Sequence, residues 1–264
     1  MKKLTFWSRL ITSPSVKFLV LLVVFFASMA ANASEASRSS ANVKIIELFT
    51  SHGCSSCPPA EKLLGELLES DPDLLALEFH VDYWNNLVHG RDGNFVDPFS
   101  NSKYSMRQRE YSAAKLAGRP GVYTPQAVVN GRIAAVGSNR RHITKALSMP
   151  SEAAFVITQQ PLGSDPSVLR ISVEGTQERL QQLSGTDITL VRYMDSAVTK
   201  ITGGENRNLK LLNHNIVFEV TRLGQVNAGA EMVYSIAAPR QGEGCVVLVQ
   251  EGALTPVFAA LECP

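Results

Sequence analysis

Three observations predict an α/β N-terminal domain followed by a β-rich, sandwich-like C-terminal domain. An apolar run, Val43-Lys44-Ile45-Ile46-Glu47-Leu48-Phe49, leads directly into Cys54-Ser55-Ser56-Cys57-Pro58 and then into a helical pattern. A second apolar run and an Asn-Gly hairpin signal follow it. From about residue 151 onward, short β-like runs alternate with Gly, Asn, Ser and Pro.

The chain of 264 residues opens on an export signal. Lys2, Lys3, Arg9 and Lys17 form a positive n-region. Residues 18–30 (FLVLLVVFFASMA) form an apolar core of about 13 residues, long enough for an h-region and too short to span a bilayer. Ala31-Asn32-Ala33 is a small-x-small pattern, so cleavage is expected after Ala33. An uncleaved N-terminal anchor is the alternative. Residues 34–42 (SEASRSSAN) are polar and Ser-rich and read as a flexible lead-in. The expected protein is secreted or periplasmic, with no stable membrane span once the signal is removed. A formal net charge of +1 supplies no field that favours nucleic acid.

Residues 43–50 are the first strand. Residues 59–70 follow helical spacing, with Leu63, Leu64, Leu67 and Leu68 on one stripe and Glu61, Lys62, Glu66 and Glu69 opposite. Residues 74–81 are the second strand, completing β-α-β. Residues 82–100 carry Gly, Asn, Asp and Pro throughout and read as a long surface loop. A helix is expected over 101–117, with Tyr104, Tyr111 and Leu116 inward and Lys103, Arg107, Arg109 and Lys115 solvated. Asn130-Gly131 joins two strands as a hairpin, and residues 142–148 form a short closing helix. The first domain thus spans 43–150. Seven β-like runs, at 153–158, 168–173, 187–194, 215–223, 232–237, 245–250 and 256–261, make the second, 151–264.

A strand that ends in Cys-x-x-Cys and passes into a helix is how a thioredoxin-like domain presents a reactive thiol pair. A helix start carries unpaired N–H groups and a positive dipole end, which stabilise a thiolate. Cys54 is therefore the expected nucleophile, its pKa drawn from about 8.5 toward about 3.5–7.5. Cys57, one turn into the helix and more buried, would resolve the mixed disulfide. Pro58 and Pro59 suit a first helical turn. Thr124-Pro125 enters the hairpin, and a cis proline there would leave a backbone edge for substrate. An ordinary trans proline at a strand start is the plainer alternative. His80 and Asp82 close the second strand, where they could support proton transfer or simply serve the core and the loop start. Cys245 and Cys263 remain as a structural disulfide that ties down the C-terminus. Two free thiols, or a relay to the first pair, are the other options. No metal site is expected: His52, His80 and His89 lack ligand spacing, and the second cysteine pair is 18 positions apart.

Several motifs together resemble the DUF1223 family, exported thioredoxin-like proteins of unknown function. They are Ile46-Glu47-Leu48-Phe49-Thr50-Ser51-His52-Gly53-Cys54-Ser55-Ser56-Cys57-Pro58-Pro59-Ala60, Phe79-His80-Val81-Asp82-Tyr83-Trp84 and Asp97-Pro98-Phe99-Ser100. Arg107-Gln108-Arg109, Tyr123-Thr124-Pro125-Gln126, Val129-Asn130-Gly131, Gly203-Gly204-Glu205-Asn206 and His214-Asn215 extend the likeness over about residues 43–262. The resemblance implies a thioredoxin-like fold with a β-rich C-terminal part and no established activity. The loop at 85–96 is longer than the family's version.

The expected function is a thiol–disulfide oxidoreductase that needs no cofactor, acting on protein thiols or disulfides, small thiols or a redox partner protein. Two rivals stand beside it. One is a non-enzymatic binding module with a locked disulfide. The other is a metal-handling protein that uses the reduced thiols.

Overall fold

The computed structural model describes residues 37–87, 89–90, 93–251 and 256–264. The expected export signal, residues 1–33, lies outside them. The fold is mixed α/β and sheet-rich. Its first half runs β1 (Ser37–Arg38), β2 (Ile45–Thr50), α1 (Pro58–Ser70), β3 (Leu75–His80), β4 (His89–Gly90), β5 (Gly93–Asn94), α2 (Ser102–Ala113), β6 (Ala117–Gly118), β7 (Gln126–Val129), β8 (Ile133–Val136) and α3 (Arg140–Leu147). The second half adds β9 (Val156–Leu162), β10 (Asp165–Glu174), α4 (Gln177–Gln182), β11 (Asp187–Lys200), β12 (Lys210–Gln225), β13 (Met232–Ala237), β14 (Glu243–Gln250) and β15 (Ala259–Glu262).

Nine strands form one sheet in the order β15-β14-β11-β12-β3-β2-β7-β8-β6. β2 and β3 are parallel and joined through α1, while β7 pairs antiparallel with β2 and with β8. Asn130 and Gly131 make the β7–β8 turn with φ of 52° and 62°, the left-handed pair a tight hairpin needs. The residues on either side of 150, expected as successive domains, share this sheet: β12 lies parallel to β3 through the pair Ile216 and Glu78. β1, β9, β10 and β13 form a second sheet. Its Ile157, Leu169, Ile171 and Ile236 pack with Ile188, Leu190, Val247 and Val249 of β11 and β14.

Residues 37–42 are not a flexible lead-in. β1 pairs antiparallel with β9, and buried Ser39 exchanges hydrogen bonds with Ile157 through its backbone N–H and its Oγ. Two main-chain partners hold a polar segment that composition alone reads as loose.

Side-chain alternation on β2 sorts the core. Ile46 and Leu48 face α1 and α3, packing with Ala60, Leu63, Leu64, Leu67, Ile143 and Ala146. Ile45 and Phe49 face the other way, toward Phe79, Tyr104 and Tyr111 beneath α2. Glu47 shares that second face and is 1% exposed. Arg107 of α2 meets it with two charge-assisted bonds, Nε to Oε2 at 2.6 Å and Nη2 to Oε1 at 2.8 Å. Arg107 was expected in solvent; a buried carboxylate opposite draws it inward. α2 itself stops at Ala113, short of the expected 117.

The same alternation on β3 sets Ala76, Glu78 and His80 on the α1 side. Thr50, at the end of β2, donates to Glu61 of α1 at 2.6 Å. Glu61 is therefore buried rather than solvated as its place opposite the leucine stripe suggested. Among the described residues no helix is long and apolar enough to cross a membrane.

Candidate functional site

Cys54 and Cys57 form a disulfide between the end of β2 and the start of α1, with Cα atoms 5.4 Å apart. The backbone turns tightly there. Cys54 N–H donates to Ser51 O and Cys57 N–H to Cys54 O, each at 3.1 Å. α1 begins at Pro58, so Cys57 is its cap rather than a residue one turn inside. Two prolines at the first helical positions fix that start, because neither has an N–H to place. Both cysteines are closed over: Cys54 is 1% and Cys57 0% exposed, although Ser55 and Ser56 between them face solvent. The expected difference in accessibility between the two sulfurs is thus absent in this closed arrangement.

The second half reaches the backbone of this loop. Asn206, in the turn between β11 and β12, donates its Nδ2 hydrogens to the carbonyls of His52 and Cys54, each at 2.9 Å. It is 3% exposed. In the sequence, Gly203-Gly204-Glu205-Asn206 stands out only as part of the family likeness. An asparagine beside two glycines gives no sign of a partner more than 150 positions away.

Thr124-Pro125 is a cis peptide, and Pro125 is buried beside the start of α1. A Cβ on Gly137 would stand 2.7 Å from Leu48 Cδ1, 3.0 Å from Pro125 Cβ and 3.1 Å from Ala60 Cβ. Only glycine admits that approach. Thr124 Oγ1 accepts from Trp84 Nε1 at 2.7 Å, which anchors the turn at Tyr83–Asn86 over the same region. Asp82 is occupied elsewhere: its carboxylate and its N–H both engage Ser105 Oγ at the start of α2.

A buried polar network adjoins the thiol loop through His52 and Glu61. Burial, reinforced by the nearby Glu78 charge, pushes the Glu61 carboxyl up to about 7. Its Oε2 has no hydrogen-bond partner. His80 donates from Nδ1 to Asp97 Oδ2 at 2.8 Å. Burial opposes charge on both, but each is the other's counter-ion. Asp97 is held far below the usual carboxylate range, and His80 is raised to about 10. His52 stacks edge-on against His80 with ring centres 4.9 Å apart, and burial keeps it below its ordinary value. Asp97 also accepts the His52 backbone N–H at 2.7 Å, so it holds the loop that leads to Cys54. Sequence reading picked out His80 but gave Asp97 and Asn213 no role, because each acts only through contacts across the fold.

Cys245 and Cys263 form the second disulfide, with Cα atoms 5.1 Å apart inside the core between the two sheets. Cys263 N–H donates to Cys245 O at 2.7 Å, so the staple continues the β14–β15 pairing to the C-terminus.

Two solved structures resemble the chain. Protein AGR_C_4864 from Agrobacterium tumefaciens superposes with a TM-score of 0.64 at 24% identity, covering 85% of this chain and 95% of its own. HBP35 of Porphyromonas gingivalis superposes with a TM-score of 0.51 at 14% identity, covering 85% of this chain and 75% of its own. These likenesses concern the fold alone. No curated protein matches the chain. The family described as "Protein of unknown function (DUF1223)" matches residues 45–250, taking in the thiol loop, the buried network and the Asn206 turn. The chain belongs to the DUF1223 family.

Proposed function

We propose that this protein is an exported, thioredoxin-like thiol–disulfide oxidoreductase whose Cys54–Cys57 pair is shielded in its resting state. The observation that carries the reading is the disulfide at the mouth of α1, with a buried carboxyl, held near 7, one helical turn on from Cys57. The strand order β3-β2-β7-β8, with the parallel β2-α1-β3 unit and the antiparallel hairpin after it, supports the thioredoxin-like reading. The facing sheets of the second half support a sandwich-like partner to it. Two disulfides and the signal-like N-terminus support export.

In the reaction, a partner thiolate attacks Cys54 Sγ and displaces Cys57 as a thiolate, giving a mixed disulfide. A second partner thiol then displaces Cys54. The partner dithiol is oxidised to a disulfide, and the Cys54–Cys57 pair takes up two electrons and two protons. The reverse order oxidises the protein's pair. Glu61 follows Cys57 by one helical turn and is suited to give or take the proton on the resolving sulfur. Pro125 shapes the edge on which the partner chain would lie.

The near-zero exposure of both cysteines favours a second reading, a binding module with a structural disulfide. Trapping separates the two. Cys57→Ser leaves Cys54 as a free thiol that should attack disulfide-containing partners and accumulate mixed disulfides with them, while Cys54→Ser should not. Absence of any adduct on folded Cys57→Ser, even with small thiol–disulfide reagents, would support the structural reading.

A further inference from the structure

The buried rings of His52 and His80 are oriented in a way that hydrogen bonding alone leaves unexplained. Asn213 Nδ2 donates to Glu78 Oε2 at 2.8 Å, which turns Asn213 Oδ1 toward His52 Nε2 at 2.9 Å. The opposite amide orientation would set oxygen against carboxylate. His52 Nε2 must therefore carry the hydrogen, and in the neutral ring Nδ1 is a bare lone pair. That lone pair faces Asp97 Oδ1 at 3.5 Å and has no hydrogen-bond partner, with both side chains 0% exposed. Two electron-rich atoms turned toward one another in a dry interior repel unless a cation lies between them.

His80 completes the arrangement. Its Nδ1 also points at Asp97, and its unpartnered Nε2 faces Glu78 Oε2 at 3.6 Å. Donor atoms from His52, His80 and Asp97 all lie within 4.8 Å of one another. We propose that His52 Nδ1, His80 Nδ1 and the Asp97 carboxylate form a site for a divalent transition-metal ion of the zinc class, separate from the cysteines. Two imidazoles and one carboxylate are a zinc-type donor set rather than a calcium or magnesium one. Ligands about 2.0–2.1 Å from a tetrahedral zinc stand about 3.3 Å apart, close to the His52–Asp97 separation.

The surroundings fit the same assignment. Each imidazole would turn its Nε2–H toward Glu78, directly from His80 and through Asn213 from His52. That is the outer-shell pattern that fixes the tautomer of ligating histidines. On binding, the proton shared by His80 Nδ1 and Asp97 leaves to solvent, and the metal takes its place. Phe99 packs edge-on against both rings, at 5.7 and 5.4 Å between centres, and closes the site. Loading is therefore expected during folding rather than by rapid exchange.

The test uses the full mature chain with both disulfides intact, refolded with cobalt(II) chloride and then desalted. About one cobalt per chain is expected, with the visible absorption of low-coordinate cobalt and no thiolate charge-transfer band. Zinc should displace it. His52→Ala should lower cobalt affinity at least about 100-fold, and Asn213→Ser, which removes the orienting partner and its bond to Glu78 but no metal ligand, about 10–100-fold. Should His52→Ala fail to fold, Asn213→Ser carries the test. Wild-type protein that retains neither cobalt nor zinc would overturn the proposal. So would stoichiometric metal on folded His52→Ala, unchanged affinity in folded Asn213→Ser, or a thiolate band. Because the cysteines stay oxidised, the outcome is independent of whether they cycle.

Discussion

Asn206 holds Cys54 from across the fold: its Nδ2 donates to the Cys54 carbonyl at 2.9 Å, with 152 positions between them. The same amide donates to the carbonyl of His52. The turn between β11 and β12 is thereby clasped over the thiol loop.

Removing the clasp should expose the disulfide. Asn206→Ala deletes two buried hydrogen bonds, each contributing about 0.5–1.5 kcal/mol. A loss of about 1–3 kcal/mol in local closure corresponds to an open fraction larger by about 5–150-fold. Reduction of Cys54–Cys57 by dithiothreitol should accelerate by about that factor, while reduction of Cys245–Cys263 should not. Equal acceleration of both would indicate global destabilisation instead.

Arg107 neutralises Glu47 inside the core, so its removal should be costly. Arg107→Leu leaves a carboxylate that is 1% exposed without its partner, a loss of about 3–5 kcal/mol. Urea unfolding measures it. Glu47→Gln/Arg107→Leu should recover part of the loss, since no ionised group is then stranded. A single-mutant effect below about 1 kcal/mol would show that the pair is not desolvated as the geometry implies.

Glu61 should make the fold less stable as pH rises through neutrality. Its folded pKa, about 7, lies above the ordinary 4.5. A raised value means that its contribution is fully present below pH 4.5 and lost as pH passes through about 7. The loss is bounded at about 3 kcal/mol. The charges of Glu78, His80 and Asp97 face the same region and act on Glu61. Glu61→Gln should flatten the slope between pH 4.5 and 7 in urea unfolding. An unchanged slope would assign the neutral-pH dependence to another group.

The second disulfide should act on stability alone. It closes 18 positions, for which loop-closure entropy gives about 3 kcal/mol. A Cys245→Ala/Cys263→Ala protein should unfold at correspondingly lower urea, with the Cys54–Cys57 potential unchanged. A shift in that potential would revive the relay between the pairs.

Much of the scaffold was legible because it rests on local pattern. The leucine stripe of α1, the Asn130-Gly131 turn and the seven β-like runs each correspond to an element in place. The missed features share one cause. Glu61 looked solvated because helical periodicity separates faces, not ends, and the β2 end of that face receives Thr50. Arg107 looked solvated because nothing near it in sequence reveals Glu47, 60 positions away. Asp97 and Asn213 matter only through His52, His80 and Glu78, on other elements. Long-range polar pairing leaves no periodic trace, whereas apolar burial does.

Thiol–disulfide chemistry here turns most directly on whether the Cys54–Cys57 bond opens and recloses. Equilibrating the folded chain across graded thiol–disulfide buffers and alkylating the free thiols measures this. The expected result is a reversible two-electron transition for Cys54–Cys57, with a midpoint above about −300 mV, while Cys245–Cys263 stays oxidised. A Cys54–Cys57 pair that remains oxidised below that potential until the protein unfolds would contradict the account.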